Sequence, residues 1–150
     1  MYNQWANNSF IILVMRLIVG GSIFMHGTQK VLAWYGGPGI DGTVGFMSKM
    51  GIPPFLAYLS IYTEFIGGLL IIIGLLTRIS SIALFINMLV AIVNVHLSKG
   101  FFASTGGFEL ALFYLAFAFL IILTGPGMIS LDNLIFKDRN ISNEKRKDHS

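Results

Sequence analysis

Residues 55–97 read FLAYLSIYTEFIGGLLIIIGLLTRISSIALFINMLVAIVNVHL. Two apolar runs, Phe55–Leu76 and Ile79–Leu97, meet at Thr77-Arg78. Each has about the 20 residues that a helix needs to cross a bilayer. A link this short forces the two spans into a tight antiparallel hairpin. Upstream lies a third run, Phe10–His26, and downstream a fourth, Phe108–Thr124. No short alternating segments stand between turn signals, which disfavours a β-barrel. The spacing therefore predicts an all-α, integral membrane antiparallel four-helix bundle over residues 1–136, with spans at 10–26, 55–76, 79–97 and 108–124. Residues 137–150 read as a polar, flexible tail.

Composition agrees. The 150 residues are 55% hydrophobic and 11% charged, whereas a soluble domain carries roughly 25% charge to wet its surface. The net charge of +3 is not gathered on one surface, so nucleic-acid binding is excluded as a function class. There is no cysteine, which removes disulfides, iron–sulfur ligation and dithiol redox chemistry by the chain itself. The first span does not read as a signal peptide: it has no basic leader, carries Arg16 in its apolar stretch, and lacks a small-x-small cleavage site.

The links add topology. Residues 27–54 form a long first loop with Trp34 and Tyr35, the turn run Gly36-Gly37-Pro38-Gly39, and a candidate interfacial helix at Val44–Met50. Gly51-Ile52-Pro53-Pro54 ends that helix. With four spans, the termini share one side with Arg78 and the five basic tail residues, against Lys30, Lys49 and Lys99 opposite. The positive-inside rule then puts both termini in the cytoplasm, and a bacterial or archaeal plasma membrane is the expected location.

Ionisable groups in a span cost at least about 2.5–3.5 kcal/mol, so each asks for a partner or a task. Taking His26, Phe55 and Leu97 as the ends of the first three spans on the first-loop side, Arg16, Glu64 and Asn87 all fall at a depth of roughly 14–15 Å. This predicts an Arg16–Glu64 ion pair with Asn87 bonded to it. Gly20, Gly67 and Gly68 flank the charges and allow close packing or room for a ligand. Asn87, Ala91 and Asn94 are expected on one inward face. Near the first-loop boundary lie His26, Lys30, His96, Lys99 and Glu109, placed to surround a pocket mouth. On an ideal helix His96 points about 180° away from Asn87, so it turns inward only if the helix twists there. Plain roles compete for each: headgroup snorkelling for Lys30 and Lys99, helix-dipole pairing for Glu109, and register-fixing for the buried pair. The candidate polar site is thus Arg16, His26, Lys30, Glu64, Asn87, His96 and Glu109. No metal motif, phosphate loop or nucleophile elbow is present, and no metal is expected.

In order along the chain stand Arg16, His26-Gly27-Thr28-Gln29-Lys30, Gly51-Ile52-Pro53, Glu64-Phe65-Ile66-Gly67-Gly68 and Gly74-Leu75-Leu76-Thr77-Arg78. These are followed by His96, Gly100-Phe101-Phe102, Glu109, and Gly125-Pro126-Gly127 with Ser130 and Asp132. In this ordered set the chain resembles the DoxX-like family of small four-span membrane proteins, over about residues 10–135. The resemblance implies a membrane oxidoreductase subunit that interacts with quinone or with a redox partner protein; with no cysteine, haem-like histidine pair or nucleotide loop, no intrinsic cofactor is expected. Two other classes stay open. One is a non-catalytic scaffold or small-solute binding and transport protein. The other is a proton or ion pathway built on Arg16 and Glu64.

Overall fold

A computed structural model describes residues 2–135, with side chains from Ser9 onward; the predicted tail 137–150 lies outside the described residues. The described chain is all helical, a membrane bundle of three long apolar helices and one shorter. Helix α1 comprises Tyr2–Met15, a π-helical turn Arg16–Gly20, and Gly21–Leu32. A short helix α2, Gly39–Lys49, occupies the first loop. Helix α3 comprises Pro54–Tyr62, a π turn Thr63–Gly67, and Gly68–Ile73. Helix α4 comprises Thr77–Ala91 and a π turn Ile92–His96, and α5 is Glu109–Thr124. Side chains such as Phe113, Ile18 and Leu123 are 62–66% exposed, an apolar exterior that hydrocarbon covers and water would not.

Glycines set the register of α1 against α3. A Cβ on Gly27 would lie 2.5 Å from the Phe65 backbone, and one on Gly68 would lie 2.7 Å from Phe24 N. Gly20 continues the contact less tightly, where a Cβ would lie 3.0 Å from the Ile71 side chain and 3.4 Å from Ile72 N. Each step along one helix is matched by an equal step back along the other, so the pair is antiparallel with backbones nearly touching. Phe24 and Phe65 stack across the contact with centroids 5.2 Å apart.

That register overturns the depth estimate. Helix α1 does not end at His26 but runs to Leu32, because the polar run Gly27-Thr28-Gln29-Lys30 faces protein rather than a water-filled loop. Gly27 and Thr28 are buried, and the Thr28 hydroxyl donates to the Met25 carbonyl at 2.7 Å. Arg16 therefore lies about 24 Å below Leu32, level with the end of α3, and not at the bilayer centre. The part of α3 that rises beyond α1 is covered by α2, which buries Thr43 and stops where Ile52 tucks in.

The apolar core fills the half of the bundle nearest the termini. Ile23, Ile71, Leu84, Met88, Tyr114, Phe117 and Ile121 form one buried cluster there. Beneath it the chain after α5 folds back onto the hairpin turn. The Asp132 carboxylate accepts from the backbone N–H groups of Leu76 and Thr77 at 2.7 and 2.9 Å. These are orphan donors of the first turn of α4, so Asp132 caps that helix.

Candidate functional site

Arg16 and Glu64 are not partners. Arg16 is 1% exposed and its guanidinium donates to four carbonyls: Ile71 O and Ile72 O at 2.8 and 2.9 Å, and Pro126 O and Ile129 O at 2.8 Å. The first two belong to the last turn of α3, where carbonyls lack intrahelical donors. The other two belong to the segment after α5. Gly74 must be glycine here: its φ is +74°, and a Cβ would lie 2.7 Å from the guanidinium carbon. Arg16 is a clamp joining three chain segments, with no face toward the opposite end of the bundle.

The partner of Glu64 is Lys30. Lys30 Nζ lies 2.5 and 2.6 Å from the two carboxylate oxygens, so the lysine expected to snorkel instead points down between the helices. The reason is the close approach at Gly27: one turn further along α1, the side chain of residue 30 falls over the carboxylate on α3. Asn87 Nδ2 donates to Glu64 Oε1 at 3.2 Å, as the spacing predicts. Asn94, expected on the same inward face, is exposed and bonds to Val90 O.

Two cavities, about 270 and 280 Å³, meet at the Lys30–Glu64 pair. The first lies among α1, α4 and α5, with Ile23, Met88, Leu110 and Tyr114 on its walls and His26 at its side. The second lies under α2, lined by Thr43, Phe46, Ser60 and Asn87. Lys30, Glu64, Ala91 and His96 border both. Of the predicted residues, the structure gathers His26, Lys30, Glu64, Asn87 and His96 here. It leaves out Arg16, at the far end, and Glu109, which lines neither cavity and accepts the Ala103 N–H at 2.9 Å.

His96 reaches the site through the π turn at Ile92–His96. The extra residue in that turn swings everything beyond it back by about 100°, which brings His96 from opposite Asn87 to its side. Its Nδ1 lies 2.6 Å from Gly106 O. His26 has no hydrogen-bond partner among the described residues, only an edge contact with the Tyr114 ring at 6.0 Å. Sequence reasoning missed Tyr114, whose hydroxyl is 2.6 Å from Ser22 Oγ. A tyrosine in a run as apolar as α5 was the available signal, since a buried phenol needs a partner. It also missed all three π turns, although Arg16, Glu64 and His96 each lie in one. Among the described residues no three His, Asp or Glu side chains gather as a metal site would require.

The site's chemistry is that of a small apolar chamber with a partly buried ion pair and imidazole nitrogens on its wall. It can hydrogen-bond a ring bearing carbonyl or hydroxyl oxygens while its apolar sides hold the rest of the molecule. The DoxX family profile matches residues 11–97. The chain is 34% identical over 139 residues to the Bacillus subtilis protein named "Putative oxidoreductase CatD", covering 91% of this chain and 97% of that one. It is 29% identical over 143 residues to "Inner membrane protein YqjF" of Escherichia coli, covering 84% and 92%. To "Inner membrane protein YphA" of the same organism it is 31% identical over 138 residues, covering 85% and 91%. No solved structure matches it significantly.

Proposed function

The chain belongs to the DoxX family, and on that premise we propose that it is a membrane oxidoreductase subunit that holds a quinone-type headgroup in the cavity beside Lys30 and Glu64. One observation carries the reading. His26, with neither ring nitrogen bonded to a protein group among the described residues, stands on the wall of a largely apolar 270 Å³ cavity whose floor is a partly buried ion pair. Structural glue satisfies its own polar atoms, whereas a binding wall leaves donors and acceptors for its ligand. A ring headgroup meets those nitrogens, and its tail follows the apolar side past Leu110 toward lipid. The chain has no cysteine, so electrons come from the bound molecule or from a redox partner protein. The relative named as an oxidoreductase supports the reaction class.

The test is a titration of a short-chain quinone into purified protein in detergent, read by thermal shift. Wild type responds saturably. His26→Ala weakens the response, and Ala103→Trp, which fills the cavity mouth at an exposed position, abolishes it. No response in wild type, or variants that respond as wild type does, would make a scaffold the better reading.

We also infer that the termini are cytoplasmic, from the basic tail and Arg78. Protease added to right-side-out vesicles leaves the tail intact if this is correct, and removes it if the orientation is reversed.

A further inference from the structure

The two histidines of the chamber differ in what they can offer. His26 has no hydrogen-bond partner among the described residues and can present either tautomer. His96 is fixed. Its Nδ1 lies 2.6 Å from the Gly106 carbonyl oxygen, which can only accept a hydrogen bond. The ring hydrogen of neutral His96 must therefore sit on Nδ1, and Nε2 carries a lone pair. Nε2 has no partner among the described residues, and His96 borders both cavities.

The neighbouring groups are less open. Glu64 Oε1 accepts from both Lys30 and Asn87, Oε2 accepts from Lys30 and keeps one position beside that ammonium, and the Tyr114 hydroxyl is paired with Ser22. Lys30 keeps one unused N–H, a donor. The wall thus has one acceptor whose role is locked from behind.

We propose that the Gly106 carbonyl holds His96 as a hydrogen-bond acceptor facing the chamber, so that the site selects the hydroxyl-bearing form of its ring ligand over the carbonyl form. This rests on the headgroup reading above and names the ligand state it prefers. A phenolic O–H points at the Nε2 lone pair and bonds to it, whereas a carbonyl oxygen there sets lone pair against lone pair. His96 is a specificity residue in this account, and the π turn of α4 is what aims it.

Three compounds on one ring test it under oxygen-free conditions: a short-chain hydroquinone, its quinone and its dimethyl ether. Binding to purified wild type is measured by calorimetry in detergent. The hydroquinone binds tighter than the other two by roughly fivefold to tenfold, the value of one net hydrogen bond. His96→Phe removes that preference, so that hydroquinone, quinone and ether bind alike. Equal binding of all three, or tightest binding of the quinone, overturns the assignment while leaving the headgroup site standing; binding of none overturns both. Should His96→Phe not fold, nitrogen NMR of the wild-type imidazole decides: Nδ1 protonated with Nε2 bare, shifting only with hydroquinone, supports the proposal, and a protonated Nε2 overturns it.

Discussion

At the end of the bundle nearest the termini, Arg16 is 1% exposed and gives every hydrogen bond it makes to main-chain carbonyls. Midway along α3, Glu64 is 5% exposed and is held by two side chains, Lys30 and Asn87. Both are buried charges in a span, and by insertion cost alone they are equivalent. Their surroundings make them different devices. A carbonyl cannot move without its backbone segment, so the Arg16 clamp is rigid and closed. A lysine can swing away and an amide can turn, so the Glu64 cluster can rearrange around a ligand. The lesson is that expense marks a residue as engaged, and only the identity of the partner tells whether it is engaged in holding the fold or in holding something else.

The largest expected effect attacks the rigid end. Arg16→Ala strands four carbonyls and opens a cavity between α1, α3 and the segment after α5. Thermal unfolding in detergent should show a loss of about 4 kcal/mol or more. Arg16→Lys should recover little of it, because an ammonium cannot reproduce the planar fork. A mild effect of Arg16→Ala would break the contrast by showing that the clamp is dispensable.

The second effect concerns pairing. Lys30→Met leaves the Glu64 charge buried with only the Asn87 amide to bond it, at a cost of about 3–5 kcal/mol in the limit of full burial; with the lysine side chain 28% exposed, the lower end is expected. Adding Glu64→Gln should restore most of that loss, giving strong coupling in a double-mutant cycle. The same cycle on Arg16 and Glu64 should be additive within about 0.5 kcal/mol. Coupling between Arg16 and Glu64 would contradict the register described above.

The smallest effect sharpens the comparison most. His26→Ala removes only an edge contact with Tyr114, so stability should fall by about 1 kcal/mol or less while ligand response weakens. A residue whose loss hurts binding and spares the fold is the opposite of Arg16. A large stability loss at His26 would move it into the structural class.

Much of the architecture follows from the sequence alone. Apolar runs of about 20 residues, a two-residue link at Thr77-Arg78, and scarce charge determine a helical membrane bundle, because hydrocarbon tolerates no unpaired backbone. Helical spacing also placed Asn87 beside Glu64 correctly. What the tertiary structure decided is which charge meets which. Hydropathy averages over a helix and cannot tell a polar residue facing protein from one facing water, so the first span was ended at His26 when it runs to Leu32. That shift carried Arg16 to the far end and brought Lys30 onto Glu64. The axial match between α1 and α3 is set by contacts of Gly20, Gly27 and Gly68 with the facing helix, which no single-chain periodicity encodes. The direction of His96 depends on a π turn, where one extra residue per turn alters every angle beyond it and leaves no mark in composition. Sequence fixes which groups are costly to bury; packing alone assigns each of them a partner.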